Sequence, residues 1–163
     1  MVFDATARIL LQEGLLTDGT NDLYQPSIAV NDNGDVVIGY NESGANKNIS
    51  AFAAVGHLQA GVLSFTDTLL LFTSAVNNYT DGLAKTNPDR WGDYSATMVD
   101  PTNPNLFWTI QEVALGNATW GTQISAINVA AVPEPEIYAM LLTGFGLLGF
   151  IGRRRKQAAF AGV

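Results

Sequence analysis

Apolar and polar positions alternate in short runs through the middle of the chain. Residues 26–31 form one run and residues 35–40 (DVVIGY) a second. Between them lies Asn31-Asp32-Asn33-Gly34, a hairpin turn built from residues that tolerate positive φ. Residues 49–55 and 68–73 continue the pattern, and after a polar stretch the runs 94–99, 105–112 and 119–129 add three more. A period of two bounded by turn residues predicts strands rather than helices. The spacing therefore predicts a mainly β domain over residues 24–130, preceded by an N-terminal segment, residues 1–23.

The pattern also echoes itself. Residues 27–42 align with residues 95–112 once the turn is lengthened, each unit being an apolar strand, a polar turn and a strand with aromatics that ends at Glu42 or Glu112. The offset of about 68 residues exceeds the roughly 40–50 of a usual propeller blade, although a four-stranded unit with long loops would accommodate it.

The alternation stops at residue 130, where a different pattern begins. Residues 137–151 (IYAMLLTGFGLLGFI) carry no charge on any face. As a helix they would rise about 22 Å, short of the roughly 30 Å hydrocarbon core. Adding Gly152, snorkelling arginine stems and local thinning of the bilayer predicts a span over residues 137–152. Gly144, Gly146 and Gly149 are tolerated in such a helix. Arg153, Arg154, Arg155 and Lys156 follow at once, whereas Glu134 and Glu136 lie on the other flank. Basic flanks stay cytoplasmic, so the β domain is expected outside and residues 153–163 form a basic cytoplasmic tail. The alternative is a buried core helix, but such helices are seldom apolar all round and then closed by four cations.

Composition changes the picture in three ways. Hydrophobic residues make up 47% and charged residues 14%, enough apolar content for a folded core. Up to residue 132 there are 13 Asp/Glu against 4 Lys/Arg, net −9, which excludes general nucleic-acid binding because that needs cations to displace counterions. There is no cysteine and one histidine, His57, so thiolate metal sites, cysteine nucleophiles and serine–histidine triads have little to work with.

The order of features in the tail carries a resemblance. Val132-Pro133-Glu134-Pro135-Glu136 (within the linker 131–136), an apolar helix with small residues, and an arginine cluster close to the C-terminus together resemble a PEP-CTERM sorting signal. In that family Pro133-Glu134-Pro135 would be the element recognised by exosortase, an integral-membrane cysteine transpeptidase or protease of Gram-negative bacteria. Proline fixes φ and resists helix, so the triplet would stay extended and accessible just outside the bilayer. The resemblance implies an exported protein whose partners are exosortase and membrane lipid, with extracellular polysaccharide as a further partner. It also implies insertion in the inner membrane with the main domain periplasmic, then a place at the cell surface or beyond after processing. A protein with this tail needs a secretion signal, and residues 1–16 show no basic n-region with an apolar run. Residues 1–23 are therefore expected to be the remnant of a longer product.

Arg90-Trp91-Gly92-Asp93-Tyr94-Ser95, followed by Asp100-Pro101 and Phe107-Trp108-Thr109, resembles a blade of the sialidase-like β-propeller repeats of secreted bacterial proteins, over some 40 residues. That implies propeller-like blades, and since two blades cannot close a ring, an incomplete propeller with open edges.

Few residues offer chemistry. His57 lies at an expected strand end. Asp32, Asn33 and Asp35 supply oxygens at loop spacing for calcium, but the distal bidentate acid is missing and a plain hairpin turn is the simpler reading. Asp93 and Asp100, seven apart, would lie on opposite faces of one strand, which argues against a paired-carboxylate glycosidase site there. Sialidases clamp a carboxylate with several arginines, and the exported part offers Arg8 and Arg90 alone. Trp91, Tyr94, Trp108 and Trp120 either stack on sugar rings from one rim or pack between strands. The Asn-X-Ser/Thr triplets at Asn48, Asn78 and Asn117, among others, are chance matches in a bacterial setting.

Two functions compete. One is a non-enzymatic surface or matrix protein needing no cofactor. The other is a fragment of a secreted propeller glycoside hydrolase. Acids gathered with tryptophan in one pocket favour the second, and acids scattered over a plain core favour the first.

Overall fold

The computed structural model of the chain describes residues 2–59, 61–76, 79, 80, 90–129, 140, 142, 143 and 145. The chain divides into two units, Met1–Ala130 and Ala131–Val163. The first unit is built from strands. A short hairpin, β1 (Val2–Asp4) and β2 (Ile9–Gln12), precedes an antiparallel four-stranded meander of β3 (Asp22–Val30), β4 (Asp35–Gly44), β5 (Lys47–Gln59) and β6 (Val62–Thr73). A three-stranded meander follows, with β7 (Ala96–Val99), β8 (Leu106–Gly116) and β9 (Thr119–Asn128).

All seven strands expected from the alternation are present, most of them longer than the sequence pattern indicated. Strand β5 runs on through His57 to Gln59 because its partners β4 and β6 continue beside it. The hairpin β1–β2 falls in the segment read as a remnant, where Leu10-Leu11 and Leu15-Leu16 broken by Gln12, Glu13 and Gly14 gave no alternation.

The β3–β4 turn forms as the composition dictates. Gly34 adopts φ of 81°, and Asn31 Oδ1 accepts hydrogen bonds from the backbone N–H groups of Asn33 and Asp35 at 3.0 and 2.8 Å. Asn31 Nδ2 donates to Asp35 Oδ2 at 2.8 Å and to the Pro104 carbonyl at 2.8 Å, so one side chain ties this turn to the β7–β8 turn.

The two meanders stack face to face. Alternate residues of β4 (Val37, Gly39, Asn41) and β8 (Phe107, Thr109, Gln111) meet across the interface, with Ala53 and Val55 of β5 and Ile127 and Val129 completing an apolar core around Phe107. A polar knot sits inside this core. Ser27 Oγ and Thr97 Oγ1 are 2.7 Å apart, Thr97 and Thr109 hydroxyls 2.9 Å, and Gln111 Nε2 donates to both Thr109 Oγ1 and Ser27 Oγ, at 3.0 and 3.2 Å. Buried polar groups must be paired with one another when water is excluded, and these largely are.

Contacts along this interface join Gln25 to Ser95, Ser27 to Thr97 and Asn41 to Glu112, numbers rising together on both sides. Strands β3 and β7, and β4 and β8, therefore run in the same direction. The sequence echo fails in register for that reason. Sheets stacked in the same sense should turn equivalent residues the same way, yet Ser27 and Ser95 both bond across the interface, whereas Glu42 and Glu112 point to opposite outer sides. A one-residue offset reverses every side chain, and the alignment carries that offset. Two sheets and a hairpin close no ring among the described residues.

The outer face of the four-stranded sheet carries a second cluster, Tyr40, Phe52 and Ala54, with Leu16, Leu23 and Ile38 against it. The outer face of the three-stranded sheet stays open, with Met98, Trp108, Trp120 and Ile124 all exposed.

Of the second unit, only Met140, Leu142, Thr143 and Phe145 are described, each helical and exposed. No helix of the described residues is long and apolar enough to cross a membrane. The span expected over 137–152 lies, apart from those four positions, outside the described residues, as do Pro133, Glu134, Pro135, Arg153, Arg154, Arg155 and Lys156.

Candidate functional site

On the open face of the three-stranded sheet, side chains alternate outward by strand parity: Ala96 and Met98 from β7, Trp108, Ile110 and Glu112 from β8, Trp120, Thr122 and Ile124 from β9. Register then sets rows across the sheet. Met98 stands opposite Trp108, Ile110 opposite Ile124, Glu112 opposite Thr122, and Ala114 opposite Trp120.

At the Glu112–Trp120 end this face borders the loop that precedes β7, and a cleft of about 790 Å3 opens between them. Its walls include Tyr79, Trp91, Tyr94, Glu112 and Trp120. The volume is within the ordinary range of small-molecule sites, roughly 300–1,000 Å3. Trp91 is half-buried and packs edge-on against Tyr79, with ring centroids 4.9 Å apart. Tyr94 and Trp120 are 90% and 59% exposed, so their rings are offered to solvent rather than to the core.

Charge in the cleft is acidic. Burial pushes the Glu112 carboxyl above its usual range, the Gly92 N–H donating to it pulls in the opposite direction, and the nearby Asp93 raises it further. Asp93 is neutralised by Arg90, whose Nη2 donates to Oδ2 at 2.5 Å. Glu42, the residue that echoes Glu112 in the sequence, is buried and held by Lys47 and Asn21 instead.

The loop carrying Trp91 is wedged from below. Gln25, at the β3 bulge, has φ of 56°, and Gly92 has φ of 59°. The two residues touch, since a Cβ at Gly92 would stand 1.8 Å from Gln25 Oε1. Ser95 Oγ donates to the Gln25 carbonyl at 3.1 Å. Among the described residues, the Gln25 amide and Trp91 Nε1 have no hydrogen-bond partner although both are buried. A left-handed non-glycine residue and orphaned polar atoms are local costs of the kind found at working sites, although Asn41 Oδ1 and Gln111 Oε1 in the sheet interface are unpartnered as well.

The structure thus gathers three of the four sequence-derived aromatics, Trp91, Tyr94 and Trp120. Trp108 shares the face but lies four residues along the strand from Glu112, about 13 Å away, and its Nε1 donates to Asp100 Oδ2 at 2.9 Å. Asp100 is held at about 2 by the Thr102 hydroxyl first, then by Trp108 and the backbone N–H of Thr102 and Asn103. It organises the β7–β8 turn, away from the cleft that Asp93 lines. Sequence reasoning missed Glu112 and Tyr79 as site residues. The parity that places Trp108 outward places Glu112 outward too, and was there to be used, whereas nothing around Tyr79 signals its position.

The remaining candidates lie elsewhere. His57 sits in β5 directly opposite Asp35, with Nδ1 2.7 Å from Asp35 Oδ1 and both side chains largely buried. Asp35 is thereby bonded to Asn31 and His57, and Asn33 Nδ2 donates to Asn105 Oδ1 at 3.0 Å, so of the calcium candidates Asp32, Asn33 and Asp35 it is the Asp35 carboxylate that is engaged within the sheet. Among the described residues no three His, Asp or Glu side chains gather to hold a metal ion.

No curated protein and no solved structure matches the chain. A family model does match its C-terminal part, and the match supports export and recognition by exosortase: residues 131–156 carry the PEP-CTERM protein-sorting motif.

Proposed function

We propose that this protein is an exported cell-envelope or matrix protein, sorted through residues 131–156 by exosortase and anchored in the inner membrane before processing, whose β domain is non-enzymatic and associates with extracellular polysaccharide. The sorting motif is the observation that carries the reading. Pro133-Glu134-Pro135 is the processing element, residues 137–152 are the span, and Arg153, Arg154, Arg155 and Lys156 hold the tail on the cytoplasmic side. The non-enzymatic assignment is supported by the charges in the cleft. Glycoside hydrolysis takes two working carboxyl groups, and of the two that line the cleft among the described residues Asp93 is tied to Arg90.

A second reading, a fragment of a propeller glycoside hydrolase, is favoured by two observations: two meanders stacked with corresponding strands in the same direction, and a cleft that brings Glu112 and Asp93 together with tryptophan.

The test is fractionation of an exosortase-bearing host that expresses the chain behind a functional signal peptide, with and without Pro133-Glu134-Pro135 replaced by alanines. Maturation of the intact chain to a smaller surface form, with the variant retained at full length in the membrane, is expected. Identical behaviour of the two would remove exosortase from the account.

A further inference from the structure

We infer that the cleft between the Trp91–Tyr94 loop and strands β8 and β9 is a binding site for an uncharged oligosaccharide. The inference deepens the proposed association with polysaccharide and rests on that reading. Four kinds of observation meet there.

The first is ring exposure. Tyr94 and Trp120, both lining one cleft, leave 90% and 59% of their surface to solvent. Burial of large rings is the ordinary outcome of folding, so two open rings beside a cavity call for something to cover them. The C–H face of a pyranose ring is apolar and flat, and it stacks on an aromatic ring without requiring that ring to leave water in the free protein.

The second is a polar anchor among the rings. Glu112 lines the same cleft, with the Gly92 N–H directed to its carboxyl. A carboxylate accepts hydrogen bonds from two neighbouring sugar hydroxyls at once. A purely apolar partner, such as a second sheet, would bury that carboxylate with too few donors, at high cost.

The third is sign. Residues up to 132 carry net −9, and among the described residues two acids, Asp93 and Glu112, and one cation, Arg90, line the cleft, with Arg90 bonded to Asp93. A uronate-bearing or sulfated chain would be repelled, whereas a neutral one would not.

The fourth is support from beneath. Gln25 in its left-handed conformation, packed on Gly92, fixes the loop that presents Trp91 and Tyr94. A preset platform loses less freedom on binding, which favours the weak, repeated contacts of a long polymer.

The experiment is a titration of the purified full chain with cellohexaose, maltohexaose and hexagalacturonate, read by intrinsic fluorescence and calorimetry. The chain's three tryptophans, Trp91, Trp108 and Trp120, make fluorescence a local probe. A neutral hexasaccharide should shift the emission with saturation, and hexagalacturonate should bind more weakly or not at all. Trp120→Ala and Tyr94→Ala, at exposed positions, should each weaken binding by about tenfold, while Trp108→Ala, on the same face outside the cleft, should leave it unchanged. Unaltered melting of each variant separates loss of binding from loss of fold. The inference is overturned if neither neutral hexasaccharide binds at millimolar concentration, if hexagalacturonate binds tighter, or if Trp108→Ala weakens binding as much as Trp120→Ala. It is also overturned if the emission shift follows protein concentration rather than sugar, which would mark the face as a contact with a second copy. Cleavage of the bound sugar would uphold the site and refute the non-enzymatic reading, and the sorting of the chain is measured independently of both.

Discussion

Gly39 faces Thr109 and Gln111 across the sheet interface, and replacing it with alanine tests that interface directly. A Cβ there would stand 2.2 Å from Thr109 Oγ1, 2.5 Å from Gln111 Nε2 and 3.0 Å from Thr97 Oγ1. Ordinary contact begins at 3.4 Å, so Thr109 would have to retreat by about 1.2 Å. It has nowhere to go. Its side chain is 1% exposed and is bonded to Thr97, Gln111 and the Ala96 carbonyl. Overpacking of this kind costs about 1–3 kcal/mol. Breaking two bonds of the knot adds about 1–3 kcal/mol, and the newly buried methyl returns about 0.8 kcal/mol. A net destabilisation of about 1–5 kcal/mol is expected, against the 5–15 kcal/mol that folded domains of this size typically have. Urea unfolding of the full chain, followed by tryptophan fluorescence, would measure it through the midpoint at unchanged slope. Thr109→Ala introduced beside Gly39→Ala should recover part of the loss, giving a coupling of at least about 1 kcal/mol in a double-mutant cycle. A cost below about 1 kcal/mol, or no coupling, would mean that the sheets do not meet at Gly39 and would refute the stacking on which the cleft depends.

The same interface predicts a contrast between two apolar residues of the three-stranded sheet. Phe107→Ala, at a position with no exposure, should cost about 3–5 kcal/mol, whereas Ile124→Ser on the open face should change stability by less than about 0.5 kcal/mol, both by urea unfolding. Glu112 carries a raised carboxyl pKa, so its contribution is present below 4.5 and fades as pH climbs through the higher folded value. Glu112→Gln should therefore melt above the wild-type chain at pH 7 and lose that advantage in acid, and a variant that melts lower at pH 7 would contradict the burial of this group. Asp100 shifts the other way. Its folded pKa of about 2 means that its hydrogen bonds persist above 3.8 and are lost as pH falls through 2. Trp108 emission, measured with the other two tryptophans replaced by phenylalanine, should change in that acid window, and Asp100→Asn should abolish the change.

Much of this molecule follows from its sequence by rules that act over a few residues. Alternation marked seven strands because side chains of a strand point to opposite faces in turn. Asn31-Asp32-Asn33-Gly34 specified its hairpin because asparagine and glycine accept the backbone that such turns require. The Pro-Glu-Pro triplet, the apolar run and the arginine cluster identified the sorting segment without reference to the β domain, since their order along the chain is itself the signal. Tertiary structure decided the rest. Whether Trp108 or Trp120 borders a cleft depends on cross-strand register and on the path of the loop before β7, neither of which is written in local alternation. Glu42 and Glu112 read alike in sequence, yet Lys47 closes one and an aromatic cleft surrounds the other. His57 pairs with Asp35 only because β5 extends past its apolar core to reach the start of β4. Local pattern fixes which way a side chain points, but what it meets there is set by a sheet about 70 residues away in the sequence.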